Sequence, residues 1–495
     1  MNFNSLQYIL FLPVTVILYY VLPKKIRNPV LLIASYVFYI SWGPAHAVFI
    51  ILSTLTTFFA GILIEKSGGA KKKLLLIMTL IVNLGILFVF KYYNFFAVTV
   101  GDLLGLAGSG AKIPTLNLLQ PAGISFYTFM AAGYIIDVYR GKSGTKPNVR
   151  ENYRAERNII DYALFVSFFP QIISGPIERA GNVLPQLKAG RSFDIEKFKQ
   201  GLTLIIWGMV KKMIIADNLA VIVNKAYGDP RAFTGMQLAF ATLCFTFQIY
   251  CDFAGCTDIA RGSAKLVGID LMENFKCPYT AGSIKDFWRR WHISLSSWFR
   301  DYLYFPLGGS RVSKARQCFN VMVVFLVSGL WHGAAVTYIV WGFLHGLYQI
   351  IGILLAPLKE KTVYRVFGKD SVILKPFRIA FTFILVSFAW ILFKANSISD
   401  AVYIIRSIIR IPSGSIFPLA FADMGLGRRP LAAVGLFIVI LAIVDIIAQK
   451  KPLLKSISEK FWIRWIIYLI LVLAIFFFGY YGSGFEPQDF IYFKY

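Results

Sequence analysis

Long apolar segments set the strongest limit on what this chain can fold into. They run along most of the 495 residues, and the chain is 57% hydrophobic with a mean hydropathy of +0.64. A segment of about 17–25 apolar residues can cross a bilayer as a helix, because every backbone group in lipid must be bonded within the structure. The segments lie near residues 6–22, 29–43, 46–64, 74–91, 121–137, 160–173, 200–222, 236–251, 319–354, 373–393, 431–448 and 463–480.

These lengths predict an all-α polytopic membrane protein with about eleven transmembrane helices. Shorter segments are expected to form re-entrant or interfacial helices that do not cross fully. No period of 20–50 residues repeats along the sequence, so a solenoid is not indicated. We therefore expect residues 1–495 to form a single membrane domain.

The positive charge of the chain is distributed as in membrane proteins. The formal net charge is +26, and the lysines and arginines cluster in short loops between apolar segments, as at Lys71 to Lys73. This positive-inside pattern favours membrane lipid as the partner and not nucleic acid. The uncharged MNFNS precedes the first apolar segment and PKKIR follows it, the reverse of a secretory signal peptide. We expect a retained first helix and an extracytoplasmic N-terminus.

Several common catalytic and metal motifs are absent from the sequence. It contains no GxSxG elbow, no GxxxxGK[ST] phosphate loop and no HExxH zinc motif. Its five cysteines form no CxxC pair, so we interpret them as packing residues and expect no metal site.

The histidines are concentrated in one part of the chain. Three of the four lie within residues 285–346. His292 lies in a basic, aromatic segment, whereas His332 lies in the apolar segment 319–354. An ionisable group in such a segment is costly, so His332 is either a functional residue or a histidine that hydrogen-bonds neighbouring helices. His345 follows about 220° further round a straight helix, and we leave it out of the catalytic set.

Other polar residues interrupt the apolar pattern. The adjacent Lys211 and Lys212 predict a break or a shallow helix, because a continuous span would bury two cations. Gln248 and Asp252 are spaced to share one helix face, where they either line a reaction chamber or cross-link helices.

Glycine and proline predict irregular backbone at two places, Gly175-Pro176 and Gly308-Gly309. Membranes tolerate such backbone where it lines a cavity. The neighbouring Glu178-Arg179 is predicted to form an exposed ion pair, which contributes little to stability.

A series of ordered motifs carries a family resemblance. They are PAGISFYTFMAAGYIIDVYRG at 121–141, FFPQIISGPIER at 168–179, WGMVKKMIIADNLA at 207–220, YCDFAGCTDIARGSAKLVGIDLMENFKCPY at 250–279, WHISLSSWFRDYLYFPLGG at 291–309 and SGLWHG at 328–333. Together they resemble the membrane-bound O-acyltransferase family, in the branch of the alginate O-acetylases. The resemblance implies helices around a central funnel or tunnel, and an enzyme that transfers acyl groups to hydroxyls.

The resemblance also implies the central site residues. The histidine of LWHG, His332, is the implied catalytic group, and that of WHISLS, His292, is the second one implicated. A buried imidazole stays neutral and can take the hydroxyl proton during attack on a thioester. Trp331 is expected to line the cavity and to exclude water from it. Gln248 and Asp252 either line the same cavity or cross-link helices.

Three arginines near His292 fit a phosphate-bearing donor. Arg289, Arg290 and Arg300 suit a cytoplasmic coenzyme A thioester, such as acetyl-CoA, although positive-inside anchoring explains them equally well. An acyl-carrier thioester is the other donor expected. We expect no permanently bound cofactor.

The chain ends in an aromatic segment, 485–495, that closes with DFIYFKY. It resembles a C-terminal tyrosine motif of surface-polymer acylation systems, in which the tyrosine is proposed to carry the acyl group. That role falls on Tyr492. The alternative is an interfacial aromatic anchor.

Three functions remain open at this stage. The first is O-acylation of an extracytoplasmic polysaccharide in the bacterial cell envelope, with acetyl as the expected acyl group. The expected partner is an SGNH-type acyltransferase or esterase-like protein. The second is D-alanyl transfer from a carrier protein toward teichoic acid. The third is a transporter or export subunit without chemistry of its own.

Overall fold

The computed structural model describes residues 1–106, 108, 113–142, 153–190, 192–362, 365, 366, 368, 371–410, 424–449, 460–482, 490 and 491. Regular secondary structure within these residues is helical, which confirms an all-α polytopic architecture. In chain order the α-helices are α1 Leu6–Val21, α2 Lys24–Ile40, α3 His46–Lys66, α4 Gly69–Lys91, α5 Tyr93–Leu106, α6 Ile124–Arg140, α7 Ile159–Ser167, α8 Ala180–Lys188, α9 Ile195–Met209, α10 Asp217–Gly228, α11 Gly235–Leu266, α12 Ile284–Arg290, α13 Ile293–Phe299, α14 Lys314–His332, α15 Val336–Lys361, α16 Leu374–Lys394, α17 Ile398–Ile409, α18 Arg428–Ala448 and α19 Phe461–Phe478.

The apolar character of these helices is that of a multi-pass membrane protein. Seven helices within the described residues are long and apolar enough to cross a bilayer: α3, α4, α11, α15, α16, α18 and α19. The total of about eleven crossings stays a prediction. The segment 160–173 forms nearly all of the nine-residue helix α7 and the buried irregular backbone after it, as expected for a segment that does not cross fully.

The chain divides into two compact units, Met1–Leu202 with Ala260–Met272, and Thr203–Ile259 with Glu273–Tyr495. In the first unit, α6 is buried along most of its length because nearly all its side chains are apolar or aromatic. Its Tyr134 packs on Tyr162 of α7 with ring centroids 4.5 Å apart. The Tyr162 hydroxyl donates to Thr57 Oγ1 of α3 at 2.7 Å, which satisfies this buried polar group.

Buried irregular backbone follows α7, where Gly175-Pro176 predicts it. Gly123, just before α6, has φ +69°, and a Cβ atom there would lie 2.2 Å from the Ile172 carbonyl oxygen. Only glycine fits this contact, since it combines a left-handed conformation with direct backbone approach.

The prediction of an exposed Glu178-Arg179 pair is wrong. Glu178 is buried, and its carboxylate accepts from the Met272 backbone N–H, from Asn182 Nδ2 at 2.9 Å and from the Arg179 backbone N–H at 3.3 Å. Burial raises the pKa of this carboxyl, and the three N–H donors oppose that effect. Glu178 therefore links two segments of the first unit through hydrogen bonds.

In the second unit, α14 and α15 meet through glycines. A Cβ atom on Gly329 would lie 2.3 Å from the Tyr338 carbonyl oxygen, and one on Gly342 would lie 2.3 Å from the Phe325 carbonyl oxygen. Small residues let the two backbones touch, which is how helices associate in a membrane without a hydrophobic driving force. This contact places the end of α14 against the start of α15.

The two adjacent lysines lie in a π-helical segment, Val210–Ala216, that joins α9 to α10. Lys211 Nζ lies 2.7 Å from Asp258 Oδ2, and Lys212 Nζ lies 2.8 Å from both Asp217 Oδ1 and Asp252 Oδ1. The expected break is thus a local widening of a continuous helix, and both cations are buried with carboxylate partners. Pairing lowers the cost of burying charge.

Candidate active site

His292 lies at a sharp turn between two short helices of the second unit. Helix α12 ends at Arg290, and His292 adopts φ +43° immediately before α13. A non-glycine residue in this region is uncommon and costs energy, so surrounding contacts must hold it. They do so here, since the Ile293 N–H donates to the Asn274 carbonyl oxygen and the Lys276 N–H donates to the Arg290 carbonyl oxygen, each at 2.9 Å.

His332 is the last residue of α14. Gly333 follows in an extended conformation, and the chain turns into α15 within three residues. The His332 ring is buried and packs against Trp331, Trp341 and Phe393, with centroid separations of 5.1, 5.0 and 5.4 Å. This aromatic surrounding excludes water from the imidazole.

The fold brings His292 and His332 together. Their ring centroids lie 6.4 Å apart, and Trp331 lies beside both, 5.8 Å from His292. Both side chains are buried. Two histidines from separate segments of the chain therefore lie side by side in the interior of this unit, and each ring is a nitrogen base when neutral.

The electrostatics of this region favour neutral imidazole. His292 lies outside the seven candidate spans, and burial lowers its pKa to about 3. A neutral imidazole ring carries a lone pair on one of its two nitrogens, and that nitrogen is an acceptor for a proton or a hydrogen bond.

His345 lies on a different helix from His332, so the geometry assumed for a straight helix across 319–354 is wrong. Glycine and alanine at 333–335 break this apolar run, and both histidine rings pack on Trp341, at 5.0 and 4.9 Å. His345 is buried, and its Nδ1 accepts from Trp288 Nε1 at 3.2 Å. This contact is the structural type expected of a histidine within a helix bundle.

The three arginines lie near the turn but make local contacts. Arg289 is exposed, Arg290 pairs with Asp286 at 3.0 Å, and Arg300 pairs with Asp301 at 2.8 Å. Both ion pairs are partly solvent-exposed, so they leave the guanidinium groups near the surface. A donor-binding role stays a prediction.

Gln248 and Asp252 both lie on α11, in buried positions. Asp252 Oδ1 pairs with Lys212, and its Oδ2 accepts from the Ile491 N–H at 2.7 Å. These contacts are those of a residue that cross-links segments. A cavity-lining role for the two residues stays a prediction.

The described end of the chain is anchored close to the site. Phe490 and Ile491 are buried, and the Phe490 ring packs on Phe253 at 5.5 Å. Phe253 in turn packs on His292 at 4.7 Å. Tyr492, the next residue, lies outside the described residues.

The five cysteines, all within the described residues, form no disulfide bonds. Four of them are buried, and Cys318 is half-buried. Among the residues that the structure describes, no group of three or more histidine, cysteine, aspartate or glutamate side chains is placed to hold a metal ion.

Some residues of the site escape sequence reasoning. Asn274 bonds to His292, while Phe253, Trp341 and Phe393 form the walls. Asn274 does lie in the motif ENFKCPY, but nothing in that motif indicates a contact with a histidine further along the chain.

Comparisons with known proteins agree with this architecture. Residues 106–393 match the model of the membrane-bound O-acyltransferase (MBOAT) family. The chain is 38% identical to the "Probable alginate O-acetylase AlgI" of Pseudomonas syringae pv. tomato, over 79% of this chain and 72% of that protein. It is 33% identical to the peptidoglycan O-acetyltransferase of Helicobacter pylori, over 84% and 81%. It is 32% identical to the teichoic acid D-alanyltransferase of Bacillus subtilis, over 47% and 59%.

Proposed function

Because the chain belongs to the membrane-bound O-acyltransferase family, we propose that it transfers an acetyl group from a cytoplasmic thioester to an extracytoplasmic polysaccharide. The chain is an O-acyltransferase and a multi-pass membrane protein. The finer assignment rests on one observation above the others, which is the buried pair of His292 and His332 with their rings 6.4 Å apart.

His332 acts as the general base in this proposal. It takes the proton of the attacking hydroxyl while a C–O bond to the acyl carbon forms and the C–S bond of the thioester breaks. The proton then passes to the departing thiolate, which leaves as a thiol. Trp331, Trp341 and Phe393 limit hydrolysis of the donor, because they leave little room for water around the imidazole.

His292 orients the reacting groups from the opposite side. Its burial keeps the ring neutral, so one ring nitrogen accepts a hydrogen bond from a glycan hydroxyl beside the attacking one, whose own proton goes to His332. Such placement converts a collision between two substrates into a step within one complex.

The donor is acetyl-CoA or an acetylated carrier, bound as a substrate and not as a permanent cofactor. Arg289 is exposed beside the turn that carries His292. Arg290 is the next residue in sequence, and Arg300 follows the short helix α13. They supply positive charge for phosphate groups. The clustering of cations in short loops supports a cytoplasmic donor side and an extracytoplasmic N-terminus.

The acceptor is a cell-envelope glycan, reached with the help of an SGNH-type partner protein. The names of two relatives, an alginate O-acetylase and a peptidoglycan O-acetyltransferase, support acetyl transfer to a polysaccharide at the cytoplasmic membrane of a bacterium. D-alanyl transfer toward teichoic acid is less well supported, since that relative matches only 47% of this chain.

The proposal is tested in cells that lack the chain and in cells that express it again. We expect ester-linked acetate on surface polysaccharides to be lost and then restored, as measured by alkaline release and mass spectrometry of purified glycans. Ester-linked D-alanine serves as the matched readout in the same samples. A change in D-alanine with constant acetate would exclude O-acetylation and support the alternative.

We further propose that Tyr492 carries the acyl group between donor and glycan. Ile491, the residue before it, is held by Asp252, and Phe490 packs beside the wall of the site. Attack by the tyrosine oxygen would form an aryl ester and release the thiol, and a glycan hydroxyl would then take the acyl group and free the phenol. Since a phenol has a pKa of about 10, a neighbouring base must assist this attack.

Tyr492→Phe separates this role from that of an anchor, because it keeps the ring and removes the hydroxyl. We expect glycan acetylation to be abolished, with unchanged amounts of folded protein in the membrane. Tyr495→Phe, in the same segment, is the matched control and should retain acetylation. Normal acetylation in the Tyr492→Phe variant would identify Tyr492 as an anchor.

A further inference from the structure

Asn274 holds His292 through its side chain as well as its backbone. Its Oδ1 lies 3.0 Å from His292 Nδ1, and it also accepts from the Ser294 N–H at 3.2 Å and from the Ser294 hydroxyl at 2.9 Å. All three side chains are fully buried. One carbonyl oxygen therefore receives three contacts within a closed turn.

These contacts determine which ring nitrogen of His292 carries the proton. The backbone N–H of Ser294 can only donate, so the amide oxygen of Asn274, and not its nitrogen, must face this turn. His292 Nδ1 faces the same oxygen and must donate to it. In the neutral ring, Nε2 is then left with the lone pair.

From this arrangement we propose that Asn274 is a positioning residue, which keeps His292 in the tautomer with hydrogen on Nδ1 and the lone pair on Nε2. The inference rests on the proposed function, in which His292 orients the glycan by accepting a hydrogen bond from a hydroxyl beside the attacking one. The other tautomer would present an N–H donor on Nε2, which cannot accept that hydroxyl's hydrogen.

The side-chain amide of Asn274 is oriented by the hydrogen bonds that its oxygen accepts, and not by its NH2 group. Asn274 Nδ2 is buried and has no hydrogen-bond partner among the described residues. An unsatisfied buried donor is destabilising, so a purely structural asparagine would be expected to use its NH2 group. Here the oxygen carries the contacts, and they converge on the strained residue His292, with φ +43°.

The titration of His292 depends on the charged and titratable groups that surround its ring. Phe253 packs on it from α11, and Trp331 and His332 pack on it from α14. Of these three, His332 is titratable. On the near side, the ring meets the neutral groups of Asn274 and Ser294.

The tautomer can be measured directly by nitrogen NMR of the full chain in lipid nanodiscs with 15N-labelled histidine. The sequence has only four histidines, and a His292→Gln variant assigns the signal. We expect wild-type His292 to show a protonated Nδ1 and a non-protonated Nε2 at neutral pH. The opposite pattern in the wild type would overturn the inference.

Two substitutions of Asn274 then have different expected results. Asn274→Leu removes the acceptor and should give mixed tautomers of His292, with kcat lowered by about 10²-fold. Asn274→Asp keeps the acceptor and adds a negative charge, which favours imidazolium. The titration midpoint of His292 should move to higher pH by about one to three units, and the acid limb of activity should move in the same direction.

Ser297→Ala is the matched control in the same short helix. It removes a hydrogen bond to the Ser294 carbonyl oxygen and touches neither Asn274 nor His292. In this variant, the tautomer and the titration midpoint of His292 should equal those of the wild type, and so should kcat. Equal loss of kcat in Ser297→Ala and Asn274→Leu, without a change of tautomer, would reduce Asn274 to a structural role.

A separate variant distinguishes failure of this inference from failure of the proposed function. Full activity in His292→Ala would overturn both. Inactive His292→Ala, together with an Asn274→Asp variant whose His292 titrates as in the wild type, would overturn the role of Asn274 alone.

Discussion

Replacing His332 with alanine is expected to lower the rate of acyl transfer by about 10²–10⁴-fold, the usual contribution of a general base. The ring lies at the end of α14, buried among three aromatic side chains and close to His292. His292, the other buried imidazole beside it, orients the glycan in the proposed function and is not expected to replace His332 as the base. The measurement is ester-linked acetate on the glycan, normalised to folded protein in the membrane.

The alanine variant also leaves a cavity, so a second variant is needed. His332→Asn keeps a polar side chain of intermediate size but offers no basic nitrogen, and it should be equally inactive while folding normally. His46→Ala, at the first residue of α3, is the matched histidine control and should retain activity. Wild-type acetylation by a well-folded His332→Asn protein would remove His332 from the mechanism.

Lys212→Met is expected to have the largest effect on stability. It removes the cation that lies 2.8 Å from both Asp217 and Asp252 and leaves two buried carboxylates without that partner. Breaking a buried ion pair in this way costs about 3–5 kcal/mol. We expect a large fall in the unfolding temperature in detergent and a lower yield of monodisperse protein.

Lys199→Met, on the helix that leads into the π-helical segment, is the matched control. Lys199 pairs with Glu196 at 2.6 Å, but both side chains are partly exposed, so the loss should be below about 1 kcal/mol. Adding Asp217→Asn and Asp252→Asn to Lys212→Met should restore part of the stability, because both carboxylates lose their charge. Equal unfolding temperatures for the two single variants would contradict the argument.

The sequence indicates the two central histidines but not how they meet. WHISLS and LWHG are local motifs, and family resemblance points to both residues. The break at 333–335 cannot be recognised from the sequence, because glycine and alanine are also compatible with a membrane helix. The sequence therefore predicts a single helix that carries both His332 and His345. The bond from Asn274 to His292 depends on a tertiary turn, which periodicity does not report.

The fold is predicted well where apolar length decides it, and poorly where charges are buried. The helical architecture follows from backbone satisfaction in lipid. Glu178, in contrast, looks like a surface residue because its partners are backbone N–H groups and Asn182. Lys211 and Lys212 correctly indicate an irregularity, but their partners come from α10 and α11 and carry no local signal.

The π-helical segment makes the length of this part of the chain critical. A π-helical turn already holds about one residue more than an α-helical turn, so one further residue inserted into Val210–Ala216 would rotate everything that follows by about 100° relative to α9. Asp217 would turn away from Lys212, and Asn218, which donates to the Phe478 carbonyl oxygen, would lose its place beside α19. Insertions should therefore be tolerated in the exposed loops long before they are tolerated here.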